Sequence, residues 1–284
     1  MSVVFARVVV VGTGLIGASL SVAARRAGVF RHVVGVGRNR QNLDVALASA
    51  RVDAISDDPV AAVADADLVV LATPVEAALE LLPTIARAAP SHAVLTDVGS
   101  VKAAIVAAAE KAGVAARFVG GHPIAGGTAT GAAAADAGLF SGKTVVLTPT
   151  ADTTRAALDA VRDIWVAIGA VILETSAAEH DAWLARTSHL PQLAAFALAA
   201  TLERNGNVPP NLLGPGFRDT TRLADSDADM WAAIARLNLG EIVAAMDDFS
   251  GTWALLREAV ATGDDTALRG LMSEARRMRT RIPR

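Results

Sequence analysis

A chain of 284 residues with 26 basic and 29 acidic side chains, and a formal charge of −3, has room for two domains with real cores and no general attraction for nucleic acid. It has no cysteine, which excludes disulfides, thiolate nucleophiles and cysteine-based metal sites and is compatible with a reducing cytoplasm, where the protein is expected to reside. The five histidines form no pair at metal-binding spacing, so no metal is expected, and the expected partners are small molecules.

The first apolar stretch, Val8 to Ala24, lies between Arg7 and the pair Arg25-Arg26 and has the outline of a signal peptide. It falls short of the roughly 20 residues a bilayer needs and carries three glycines, so no membrane association is expected. Arg7 to Val11 reads instead as a strand, followed directly by Gly12-Thr13-Gly14-Leu15-Ile16-Gly17 and a helix through Ala27. In such a turn the first glycine permits the bend and the second lets the backbone approach a pyrophosphate. The third lets the helix pack on the strand, with phosphate at the helix N-terminus. Gly12, Gly14, Leu15, Ile16 and Gly17 are therefore expected to bind a dinucleotide. The next strand, Val33 to Val36, ends without the acid that would take the ribose 2′-hydroxyl of NAD and runs into Gly37-Arg38-Asn39-Arg40. Two guanidiniums suit a 2′-phosphate, so NADP is expected in preference to NAD, with Arg38, Asn39 and Arg40 at that end of the cofactor. The alternative is a loop of ordinary solvated charges.

Further β-branched runs follow at Leu68 to Ala72, Ala93 to Asp97, Phe118 to Gly120, Thr144 to Thr148 and Val171 to Glu174, separated by helix-length segments, one of them from about Thr153 to Ile168. Continuous apolar strands of this kind predict an α/β, Rossmann-like domain over residues 1–175, with a mostly parallel sheet covered on both faces. Thr73 and Pro74 end the third strand at the edge where such sheets bind ligands. They either line the cofactor site or simply cap the strand. Ser100 follows Asp97 on the same edge, placed to bridge substrate and nicotinamide or else to cap the next helix. His122, in Gly120-Gly121-His122-Pro123-Ile124-Ala125-Gly126, is expected on a short rigid loop, where an imidazole titrating near neutral pH can act as catalytic base. A turn histidine bonded to a carbonyl is the alternative.

After Thr175 the strand-like runs vanish, and Ala177 to Arg204, Met230 to Ala261 and Thr266 to Arg279 read as long helices. They predict an all-helical domain over residues 176–284, packed against the first across a cleft. Asn205 to Asp229 between them is too rich in Gly, Pro, Asn and Asp to be one regular element.

Gly12-x-Gly14-Leu15-Ile16-Gly17, Asp97-x-x-Ser100-Val101-Lys102, Gly121-His122-Pro123-x-x-Gly126, Ser188-His189-Leu190-Pro191-Gln192 and Phe217-Arg218-Asp219-Thr220-Thr221-Arg222 together resemble the prephenate/arogenate dehydrogenase family, in order and spacing along nearly the whole chain. The resemblance implies oxidative decarboxylation of arogenate or prephenate, with hydride passed to NADP or NAD and tyrosine or 4-hydroxyphenylpyruvate as product. It implies His122 as base for the ring hydroxyl with Ser100 orienting it, His189 facing the substrate, Arg222 holding a carboxylate with Asp219 orienting Arg222, and a homodimer formed through the helical domain. Trp231 is a candidate for the cleft wall, a plain core tryptophan being the other reading. The chain departs from the family at Ile124, where many members have methionine, and in Gly127-Thr128-Ala129-Thr130-Gly131, which lacks an acid that some prephenate-using members carry. Another hydroxy-acid dehydrogenase of the same two-domain plan and a non-catalytic dinucleotide sensor are the competing readings.

Overall fold

The computed structural model describes residues 4–126, 130–206 and 208–282. Strand β1 (Phe5–Val11) has Val8, Val9 and Val10 fully buried, because helices cover both faces of the sheet it belongs to. The twofold alternation of a strand sends Val8 and Val10 into one apolar core and Val9 and Val11 into another. Seven more strands complete the sheet: β2 (Phe30–Val36), β3 (Ala54–Ser56), β4 (Leu68–Leu71), β5 (Val94–Asp97), β6 (Phe118–Pro123), β7 (Thr144–Thr148) and β8 (Val171–Glu174). Their order is β3-β2-β1-β4-β5-β6-β7-β8, and every pairing is parallel except β6 with β7. The expected Rossmann-like, mostly parallel sheet followed by helices is what the chain forms. Strand β3 escapes sequence reading because Ala-Ile-Ser is too short and too mixed to stand out.

The order reverses between β1 and β4, so the carboxyl ends of these two strands part and leave a crevice. Helix α1 (Leu15–Arg26) begins in that crevice. The other helices of this half are α2 (Arg40–Ala48), α3 (Pro59–Val63), α4 (Val75–Ala88), α5 (Ala103–Lys111) and α6 (Arg155–Ala167).

The remainder is helical, but less continuous than the residue pattern suggests. Helix α7 (Ala177–Leu184) starts with a capping box between Ser176 and Glu179. It widens into a single π-turn over Ala185–His189 before α8 (Leu190–Asn205). Pro191 explains the wide turn: it has no N–H to return to the preceding turn, so the ladder cannot run through regularly. Short segments follow, among them α9 (Pro215–Thr221) and a tight turn over Arg222–Asp225. The expected long helix from Met230 is broken at Asn238 into α10 (Ala228–Leu237) and α11 (Leu239–Thr262), with α12 (Asp265–Thr280) last. Among the described residues no helix is long and apolar enough to cross a membrane.

The glycine turn after β1 has little slack. A methyl at residue 17 would sit 2.1 Å from the Gly12 carbonyl oxygen. Overpacking of this kind costs about 1–3 kcal/mol. Gly17→Ala is therefore expected to lower the melting temperature by at least ~3 °C and to weaken dinucleotide binding. Unaltered melting and unaltered titration with dinucleotide would show that the turn can open.

Candidate active site

The three glycines of the first loop face different surroundings. Gly12 has φ +106°, and a Cβ there would lie 2.4 Å from the Ala72 carbonyl oxygen, so only glycine allows β1 and β4 to close this tightly. Gly14 has open space where its Cβ would be, on the side a phosphate must approach. Helix α1 starts at Gly14 with no side-chain cap and no acid in its first turn, leaving its leading N–H groups available to an anion. Thr73 adds a buried hydroxyl with no hydrogen-bond partner, and the exposed Pro74 opens α4 beside it. These features fit a dinucleotide's pyrophosphate. Leu15 and Ile16 are half-buried in the first turn of α1. Asn42 braces the loop: its Nδ2 donates to the Thr13 carbonyl and hydroxyl, both at 2.9 Å, while its Oδ1 accepts from Ala132 N at 2.9 Å.

At the end of β2, Arg38 is exposed and makes no ion pair among the described residues. Arg40 pairs with Asp44 one turn along α2, at 3.0 Å. Asn39 caps α2 by accepting from Asn42 N at 3.0 Å.

His122 lies on a strand rather than on the expected loop, because pairing with β7 extends β6 to Pro123 and sets His122 opposite Val146. The parallel ladder between β5 and β6 stops at Thr96 and Val119. Beyond it, the Asp97 carboxylate accepts from Gly121 N at 3.1 Å and Gly99 N at 2.8 Å, and it pairs with the buried Lys102 ammonium, which donates to the Gly121 carbonyl at 2.8 Å. Burial lowers the Lys102 pKa, against the raising influence of Asp97.

His122 Nδ1 lies 2.8 Å from Nε2 of the fully buried His180 on α7, the rings meeting edge to face. His180 Nδ1 lies 2.7 Å from Asp181 Oδ1. The Asp181 carboxylate also accepts from the backbone N–H groups of Lys102 and Ala103, both at 2.8 Å, and so caps α5 from another helix. Ser100, the sequence candidate for that cap, does not make it and is half-buried.

On the helical side, the buried His189 lies in the π-turn, its Nδ1 3.2 Å from Asn238 Nδ2. Asn238 Nδ2 donates also to the Asp181 carbonyl at 2.9 Å. Trp231 meets the His189 ring edge to face, and its buried Nε1 has no partner. Gln192 reaches the Leu223 carbonyl and ties α8 to the turn that carries Arg222.

Two family models cover most of the chain: "prephenate dehydrogenase, nucleotide-binding domain" over residues 20–174 and "prephenate dehydrogenase, dimerization domain" over residues 176–274. The chain belongs to the prephenate dehydrogenase family. It is 33% identical over 283 residues to a cyclohexadienyl dehydrogenase of Zymomonas mobilis, covering 97% of this chain and 96% of that one. It is 32% identical to a prephenate dehydrogenase of Bacillus subtilis over 247 residues, 85% of this chain and 67% of the relative. A crystal structure of prephenate dehydrogenase from A. aeolicus in complex with hydroxyphenyl propionate and NAD+ superposes with a TM-score of 0.93 at 30% identity, covering 100% of both chains. Synechocystis arogenate dehydrogenase follows with a TM-score of 0.84 at 30% identity, covering 97% of this chain and 99% of that one.

Within this prephenate dehydrogenase fold the structure gathers some sequence candidates and separates others. His122 reaches His180 on α7, and Trp231 meets His189 in the π-turn, whereas the Ser100 side chain makes no hydrogen bond among the described residues. Asp219 and Arg222 do not form the expected pair: both are exposed, with no ion pair between them. Holding two solvated side chains together would cost more entropy than high-dielectric attraction returns. Gly127-Thr128-Ala129, part of the departure noted above, lies outside the described residues. Sequence reading missed His180, Asp181 and Asn238. The signal available was the capping box Ser176-x-x-Glu179, which places the adjacent His-Asp at a helix start facing the sheet edge.

Burial, followed by the nearby His180, Lys102 and His189, holds the His122 pKa well below the usual 6.5, and burial lowers that of His189 to about 4 despite Asp181. Both rings are thus neutral in the folded protein at a pH where the unfolded chain protonates them. Stability from these groups is complete above pH 6.5 and lost as pH falls below it, for His189 down to about 4. Urea melts between about pH 5 and 6.5 should show unfolding free energy rising with pH, by up to ~1.4 kcal/mol per pH unit for each ring, and His189→Gln should halve the slope. A slope of opposite sign would contradict the neutral assignment.

Proposed function

We propose that this chain is an NADP-preferring dehydrogenase that oxidatively decarboxylates arogenate or prephenate. The observation that carries the reading is His122: an imidazole held neutral by its surroundings at the end of β6, on the sheet edge where the β1–β4 crevice opens, with Nδ1 engaged by the protein and Nε2 left for a ligand. A bound nicotinamide would supply the hydride acceptor. The chain's own residues do the rest. His122 Nε2 takes the proton of the ring hydroxyl as hydride leaves the same carbon, and Ser100 orients that hydroxyl. The ring carboxylate then departs as CO2, its bonding electrons enter the dienone, and the imidazolium returns its proton to the oxygen of the new phenol. Aromatisation makes the sequence irreversible without further help from the protein.

In this reading residues 1–175 bind the dinucleotide, and residues 176–284 complete the substrate site and pair two copies of the chain. His189 and Trp231 form the far wall, Trp231 offering its unpartnered N–H, and Arg222 holds a carboxylate from the open side. Asp219 borders Arg222 there. Support for a homodimer comes from the dimerization-domain model over residues 176–274 and from Phe249, Trp253 and Leu255, which α11 leaves exposed. The NADP preference rests on the missing acid after β2 and on the unpaired Arg38; Asn39 and Arg40 follow it, Arg40 reaching the 2′-phosphate only by leaving Asp44.

The deciding experiment follows NADPH and NADH formation with prephenate and arogenate side by side; no turnover of either acid would overturn the reading. His122→Asn should lower kcat by about 10²- to 10⁴-fold with little change in KM, and retained activity would remove His122 as base. Arg38→Ala should weaken NADP at least about tenfold more than NAD, a ratio on the scale of one lost charge-assisted bond, and equal effects would reject the preference.

A further inference from the structure

The contacts of Asp181 determine the protonation of two imidazoles beyond it. Both of its carboxylate oxygens receive backbone N–H groups, Lys102 N on Oδ1 and Ala103 N on Oδ2, so the side chain is held as an acceptor. The partner at 2.7 Å, His180 Nδ1, must then carry a hydrogen. A neutral imidazole protonated at Nδ1 presents a lone pair at Nε2, and that atom faces His122 Nδ1 at 2.8 Å. His122 Nδ1 is consequently the donor, and its own lone pair falls on Nε2, which no described side chain occupies. The arrangement Asp181 carboxylate, His180, His122 repeats the logic of a carboxylate orienting a base, with a second imidazole inserted between them.

We propose that His180, oriented by Asp181, is a positioning residue that fixes His122 in the tautomer able to accept a proton at Nε2 and stabilises the positive charge His122 acquires when it does so. This rests on the reading of His122 as the base. The device meets a need of the site. His122 is half-buried, with Lys102 and His189 nearby, surroundings that oppose a cation. A carboxylate one ring away, whose negative charge is shared with the N-terminus of α5, offers the compensating charge along the hydrogen-bond line. The line also crosses the molecule. His122 belongs to the sheet, His180 and Asp181 to the first helix of the helical half, and Asn238 fixes the Asp181 carbonyl from the break between α10 and α11. Packing of the two halves against each other therefore assembles the base.

The test uses His180→Leu and His180→Gln in the full-length protein. Leucine removes the acceptor for His122 Nδ1–H, whereas the glutamine carboxamide oxygen can still accept it. His180→Leu should lose about 10²- to 10⁴-fold in kcat, with KM and dinucleotide affinity within about threefold of wild type. His180→Gln should recover at least about tenfold of that loss. Imidazole ¹⁵N–¹H spectra of the unliganded wild-type protein, with His122 assigned by its Asn variant, should show hydrogen on Nδ1 and not on Nε2. In His180→Leu the His122 signal should move to a mixture. Hydrogen on His122 Nε2 in the wild type, an unchanged kcat in His180→Leu, or equal losses in the two variants would each overturn the proposal. Because the spectra need no substrate, they decide the proposal even if neither prephenate nor arogenate is turned over.

Discussion

A lysine ammonium in a protein interior must be paired, and the pairing of Lys102 with Asp97 is the contact around which this site is built. The ladder between β5 and β6 ends one residue before the glycine pair, leaving the N–H and carbonyl of Gly121 without a partner on β5. The carboxylate and the ammonium take those two groups and act as a short substitute for a strand. Removing one partner of such a buried pair typically costs about 3–5 kcal/mol, so the geometry is strongly held even if the pair adds little net stability. Gly120 and Gly121 are needed for the same reason: a Cβ on the first would press on the Thr148 hydroxyl at 2.4 Å, and one on the second on the Asp97 carbonyl at 2.7 Å. Lys102 also leads into α5, and the cap of that helix fixes Asp181. One buried charge thus couples the end of the sheet to the first helix of the second half.

The parts of the fold legible in the sequence were those whose residues serve a single demand. The ends of β1 and β2 and all of β4 are buried on both faces and read as valine and leucine runs, interrupted in β2 only by Gly35; the glycine turn reads clearly because each glycine answers a separate steric need. Where two demands compete the pattern fails. The stretch from Ala177 reads as one helix because its composition is helical throughout, yet Pro191 forces the π-turn that sets His189. Asn238 sits in an equally helical stretch and breaks it to reach Asp181 and His189.

The site was legible where short motifs carry it and hidden where contacts span the chain. His122, Ser100 and the phosphate loop announce themselves locally. Asp181 and Lys102 are 79 residues apart in sequence, and nothing in the neighbourhood of either points to the other. A histidine beside an aspartate early in a helix is ordinary surface chemistry until the fold buries both. The converse failure is Asp219 and Arg222, spaced to pair on a helix but left in solvent, where pairing gains little.

The single antiparallel pairing in the sheet has an evolutionary corollary. By holding His122 opposite Val146, β7 mounts that imidazole on the hydrogen-bonded framework, whereas the stretch between α8 and α10, with its exposed Asp219 and Arg222, is a series of short helical pieces and turns. The two parts therefore vary under different constraints. Substitutions around Asp219 and Arg222 disturb no ladder, whereas a slip in the register of β6 against β7 would move His122 itself.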